Sequence, residues 1–438
     1  MNDKEILDRV VQLLQKAGFQ DSEVRNQATK GLANGDPSFT VSCIRDIDGR
    51  GLLLEAEVSG HSNLQPGHAL KEIMVSEKQN KELPPFTLSS SKDDLLNVDF
   101  AINHFLGKYD RLPEELYALH LSEVSDLTPA RIIREKLSKC PEQAVISGFC
   151  QDISGSADYL IPIMRLPAGY SVQDYEMKFT PYPVLSHDVF AGVHTGELEN
   201  DMADINWKND RGIFYFTEEE PRFTNRVQSI LDRLDQLKES IPGGYTGHIL
   251  QLKYMQQSSI AEVLIHDKAW DTLRRLPSQK RIFPSSISLR HAMNLMAGRS
   301  VLQQDEHTAF SQAHSWFRSD SSENGTPYSG ITVDGYSWHL LKQHVSQIVP
   351  NEAKAAHVAR QLANGDIATV KTLQNKTVLL FANPEHRTLQ LVTPNMHPIP
   401  FNIDLDPNWK ATTESQTGQI SPANNKNHFR KKNRGKRI

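Results

Sequence analysis

Residues 25–58 read RNQATKGLANGDPSFTVSCIRDIDGRGLLLEAEV, and residues 354–383 read KAAHVARQLANGDIATVKTLQNKTVLLFAN. Both contain Leu-Ala-Asn-Gly-Asp, at 32–36 and again at 362–366. A helical run precedes the pentapeptide each time, and an alternating segment with Thr-Val follows it. Asn-Gly is a helix stop, because both residues tolerate the left-handed conformation that a C-terminal cap needs. A polar turn comes next, at Asp46 to Gly51 or Gln374 to Lys376, and then a strongly apolar strand, Leu52-Leu53-Leu54 or Val378-Leu379-Leu380. In the second copy Thr388–Val392 supplies a third alternating strand. A hairpin alone is marginal in water, so each helix must cover the apolar face of its sheet.

This repeat sets the expected fold class: α+β, in serial small modules, each a helix packed on a short antiparallel sheet. Two other stretches follow the same order without the identities. Residues 128–180 give a helix at Ala130–Leu137, strand-like Gln143–Phe149, a turn at Ser154-Gly155-Ser156 and strand-like Tyr159–Arg165. Residues 222–266 give an amphipathic helix, a stop at Gly243-Gly244, and strand-like Thr246–Tyr254 and Ala261–His266. The expected division is a helix-plus-sheet unit at 1–80, a second α+β unit at 85–185, a loop-rich connector at 186–221, a third α+β unit at 222–285, a C-terminal domain at 286–405 and a basic, disordered tail at 406–438. Helices are expected around Asp93–Gly107, Pro113–Ser122 and Ser288–Leu295. The segment KATTESQTGQISPANN offers too little apolar surface to offset its ordering entropy.

The chain of 438 residues is 38% hydrophobic and 23% charged, the usage of a globular protein with two to four domains. No basic start followed by an apolar run marks a secretory signal, and no stretch approaches the ~20 apolar residues of a membrane span. The expectation is a cytoplasmic protein without a membrane partner. Three cysteines, Cys43, Cys140 and Cys150, form neither a disulfide framework nor a CxxC pair, and read as small buried hydrophobes. The Trp residues are spread along the chain as core anchors rather than gathered into one stacking platform.

Charge is unevenly placed. Residues 424–438 carry seven Lys/Arg and no acid, which leaves 41 basic against 53 acidic residues elsewhere, a net of −12. Phe429 sits among Lys426, Arg430, Lys431, Lys432, Arg434, Lys436 and Arg437. Such cations release counterions from a phosphate backbone, and an aromatic ring can stack on a base. DNA or RNA is therefore the expected partner of this segment. An acidic partner, the protein's own body included, is the alternative, and a merely solubilising terminus the third reading.

The other constellations are weaker. His187, Asp188, His194, Glu197, Glu199, Asp201 and Asp204 combine ring nitrogens and carboxylates, but at no metal-binding spacing; a polar loop is the plainer reading. His307 and His314 lie two helical turns apart. Gly298 reads as a helix cap, and Arg299 as the donor of a structural ion pair. Phosphate-binding loops, dinucleotide fingerprints and nucleophile elbows are absent from the sequence. It therefore names no catalytic residue, no metal and no cofactor. The favoured function is a binding protein with protein partners for the body. The rival is an enzyme or exported effector with an unfamiliar, metal-dependent site near 187–207 or 299–316.

Leu295-Met296-Ala297-Gly298-Arg299-Ser300-Val301, with Ser315-Trp316-Phe317, Gly335-Tyr336-Ser337 and Ala382-Asn383-Pro384 before a last strand, resembles an uncharacterised domain family of Bacteroidetes mobile elements. The resemblance covers 286–400 well and 1–60 loosely, where Gly18-Phe19 and Ala33–Val41 look like its frequent N-terminal companion. It implies a DNA-related setting and transfers no catalytic residue.

Overall fold

The computed structural model describes residues 3–35, 37–59, 70–78, 83–89, 96–121, 127–216, 221–303, 315–319, 329–331, 336–349, 351–371 and 376–400. Expectations for the basic segment, His307, His314 and Gly335 lie outside them.

The two LANGD copies fold alike. In the first, helices Asp3–Lys16 and Asp21–Ala33 pack on the meander β1 (Ser38–Ile47), β2 (Arg50–Ser59), β3 (Leu70–Glu77) and β4 (Phe86–Ser89). In the second, helices Trp338–Ile348 and Glu352–Ala363 precede the meander β17 (Ala368–Lys371), β18 (Thr377–Asn383), β19 (Thr388–Val392) and β20 (Pro398–Ile399). Asn34 and Asn364 cap the second helix of each pair, and Gly35 and Gly365 follow with φ of 70° and 81°. The alternation works as expected: Val41, Cys43, Leu52, Leu54, Ala56, Val58, Ile73 and Val75 point at the helices. β1 and β2 join through Asp48-Gly49, both at positive φ, the tight turn that Asp-Gly favours.

The central unit repeats the plan with an interruption. Helices Leu112–Ala118 and Pro129–Leu137 precede β5 (Gln143–Asp152), β6 (Gly155–Leu166) and β8 (Tyr175–Pro181); β7 (Gly169–Val172) is an offshoot of β6. The fourth strand of the order, β13 (Gln279–Phe283), comes almost a hundred residues later. What lies between is a helical layer with its own core: helices Thr195–Ala203, Asn225–Leu237, Ile241–Met255 and Asp267–Arg275, short ribbons β9 (Val189–Phe190) with β10 (Val193–His194) and β11 (Phe214–Phe216) with β12 (Pro221–Phe223), and the single-turn helix Ala261–Leu264. Helix Leu289–Met296 and the small sheet β14 (Val301–Gln303), β15 (Ser315–Arg318), β16 (Ser329–Ile331) lead into the C-terminal unit.

Three expectations change here. Thr246–Tyr254 is helix, not strand, and so is most of Ala261–His266. Gly243-Gly244 is not a stop; it lies in the first turn of Ile241–Met255, which Ser240 caps and Pro242 opens. Gly243 is small because a Cβ there would meet Ser240 Oγ at 2.5 Å and Phe190 Cβ at 2.9 Å. Residues 186–221, read as a loop-rich connector, contain the helix Thr195–Ala203, the short helix Asp210–Ile213, the whole β9–β10 ribbon and strand β11. Among the described residues no helix is long and apolar enough to cross a membrane. Cys43 and Cys150 are buried thiols, while Cys140 is only half-buried.

Candidate functional sites

Sequence brings the histidines and acids of 187–204 together, and the fold sorts them. Helix Thr195–Ala203 aims Glu199 inward, where it is fully buried, and helix Ile241–Met255 delivers Lys253 and Tyr254 to the same point. Lys253 Nζ pairs with Glu199 Oε1, and Tyr254 OH donates to that oxygen at 3.0 Å. His187 Nε2 lies 2.7 Å from Glu199 Oε2, and His187 Nδ1 lies 3.2 Å from Thr195 Oγ1. Burial works to raise the Glu199 carboxyl, but the contacts from His187 and Lys253 outweigh it and hold the carboxyl below its ordinary value. Burial first, and Glu199 second, push the Tyr254 phenol well up.

Hydroxyl, imidazole and carboxylate in a row are the parts of a hydrolytic triad. This row cannot serve as one. Thr195 is fully buried, and its hydroxyl donates to Asp188 O at 3.0 Å while accepting from Asp188 N at 3.1 Å. Its one hydrogen is committed to the backbone and no substrate can reach it. Two of the remaining carboxylates are spent in ion pairs: Asp201 with Arg233 at 2.7 Å, and Asp204 with Arg226 at 3.0 Å and with Lys371. Asp204 also accepts from Thr377, and these contacts hold its carboxyl below the ordinary value against the opposing pull of burial. No cluster of three metal-type ligands occurs among the described residues. His194 and Glu197 stay outside the Glu199 knot.

Arg299 is where the sequence expects a structural ion pair. Its guanidinium donates to Ser154 Oγ at 2.7 Å and Asn294 Oδ1 at 2.5 Å, and pairs with Asp152. It clamps the β5–β6 turn to the segment after helix Leu289–Met296. That helix also holds the second LANGD: Arg290 Nε donates to Asp366 Oδ1 at 2.7 Å, and Asn294 Nδ2 donates to Asn364 O at 2.6 Å.

A cleft of about 510 Å³, which the sequence does not announce, opens between the N-terminal and central units. Lys108, Lys139 and Arg165 line it, opposed by Asp48 and Asp99, with Asn103 and Cys140 also in the lining. Cys140 has a φ of 48°, and its sulfur accepts from Asn103 Nδ2 at 3.2 Å. Burial pushes the thiol up despite that bond, so it is not a ready thiolate nucleophile.

No family model matches this chain, and neither does any curated protein or solved structure.

Proposed function

We propose that this chain is a non-enzymatic accessory protein of a mobile genetic element, whose body serves protein partners and whose residues 426–437 contact DNA or RNA. The observation that carries the reading is charge segregation: seven Lys/Arg without an acid in 424–438, on a chain otherwise at −12. Two features support it. The titratable groups that most resemble a catalytic set are consumed in buried pairs, and Phe429 among the cations offers a stacking surface. The mobile-element setting rests on the resemblance of 286–400.

The test is a salt titration of binding to a non-specific duplex, comparing the full chain with residues 1–410. If most of the seven cations meet phosphates, log K falls against log salt with a slope of about −4 to −6. The truncated chain loses that slope and most of the affinity. Equal affinity and slope for both would remove the segment from the function.

A further inference from the structure

The sheet β1–β4 has a second face. Thr40, Glu57, Glu72 and Ser89 lie side by side across its four strands, and Ser42, Glu55, Met74 and Thr87 form the next row. None of these eight belongs to the core beneath the helices. Glu57 directly opposes Glu72, and Glu55 shares their face two residues along β2. Like charges directly opposite on a sheet destabilise it. The ion pair reaching this face among the described residues is Lys71–Glu57, at 3.9 Å.

The repeat shows what such a face is for. Aligning Thr40-Val41 with Thr369-Val370 places Leu379 and Val392 where Glu57 and Glu72 stand. Leu379 and Val392 are buried, though neither belongs to the C-terminal core. That face meets the helical layer, which sends Asp204 to Lys371 and Thr377, and Lys253 to Pro394 O at 3.0 Å. The equivalent face of the first copy carries Glu57 and Glu72 where the second carries Leu379 and Val392, and Glu55 where the second carries Thr377. It suits a cationic, extended occupant and repels phosphate.

We propose that residues 426–437 dock in cis on the Glu55–Glu57–Glu72 face, and that nucleic acid must compete for them. The competition rests on the function proposed above; the docking does not. Charge complementarity selects the occupant, and tethering raises its local concentration over any free basic peptide. Reach is sufficient: the chain from Pro400 to Lys426 can span up to ~90 Å, against ~55 Å across a compact body of this size.

Two measurements on the full chain test this. Zero-length carbodiimide coupling of dilute protein, read by mass spectrometry in the monomer fraction, is expected to join Lys426, Lys431, Lys432 or Lys436 to Glu55, Glu57 or Glu72. Lys280–Glu176, at 2.5 Å, is the internal control. Separately, Glu55→Gln/Glu57→Gln/Glu72→Gln is expected to bind a non-specific oligonucleotide roughly three- to tenfold more tightly than the parent at low salt. The triple substitution relieves a like-charge pair and leaves the core untouched. Links without nucleic-acid binding by either form would uphold docking and sink the nucleic-acid reading. An absence of tail links while the control forms, or links found only between two copies, would overturn docking whatever the affinities.

Discussion

Lys253 and Glu199 form a buried pair whose cost of desolvation is met by contact geometry. Removing one partner of such a pair strands the other charge, which typically costs about 3–5 kcal/mol. Lys253→Met is therefore expected to destabilise the helical layer by about that amount, and Lys253→Met/Glu199→Gln by clearly less, since the double change leaves no charge stranded. Thermal unfolding of the two single variants and the double variant checks it; additive losses would contradict the pairing. The pH dependence has a definite sign. The Glu199 carboxyl is held below its ordinary 4.5 in the folded chain. Its contribution is thus fully present above pH 4.5 and is lost as pH falls through the lower folded value. Glu199→Gln should flatten the acid limb of the stability profile and leave the neutral limb parallel to the parent.

At the scale of elements, the two LANGD corners share a backbone but not surroundings. Gly35 has open space where a Cβ would go; at Gly365 a Cβ would meet Ser300 O at 2.9 Å, Asn294 Cβ at 3.0 Å and Val301 Cγ2 at 3.1 Å. Gly35→Ala is expected to cost about 1 kcal/mol of left-handed strain, and Gly365→Ala at least about 2 kcal/mol, because strain and a backbone clash combine. Chemical denaturation of both variants checks the order, and equal costs would refute it. These corners were also the most legible feature of the sequence: an Asn-Gly cap announces itself locally, and period-two alternation follows it. The helical layer was illegible for an equally physical reason. Ile241–Met255 is buried on nearly every side from Ile249 onward, so it carries no 3.6-residue stripe, and its apolar run passes for a strand. The Glu199–Lys253 contact joins residues more than fifty positions apart, and no spacing rule reaches that far. The acid-histidine segment was visible as a cluster, but only the fold tells that Glu199, Asp201 and Asp204 are already paired.

Across the whole molecule, the layer inserted between β8 and β13 ties two units that the chain order keeps apart. It leaves the central sheet as an excursion, yet its Asp204 and Lys253 reach the C-terminal meander. Lys371 pairs with Asp204 across 167 residues of chain. If this contact holds the layer against β17 and β18, then weakening it should loosen that meander selectively. Asp204→Ala removes the shared acceptor of Lys371, Thr377 and Arg226 and leaves Lys371 half-buried with only the Thr377 hydroxyl, at 2.6 Å, to accept from it. Hydrogen exchange is the measurement that separates the outcomes. Amides of β17 and β18 should exchange roughly tenfold faster, matching a loss of about 1.4 kcal/mol in local stability, while β5 and β6 keep their protection. Uniform acceleration over both sheets would mean that the inserted layer acts through the central unit, and the direct coupling would be wrong.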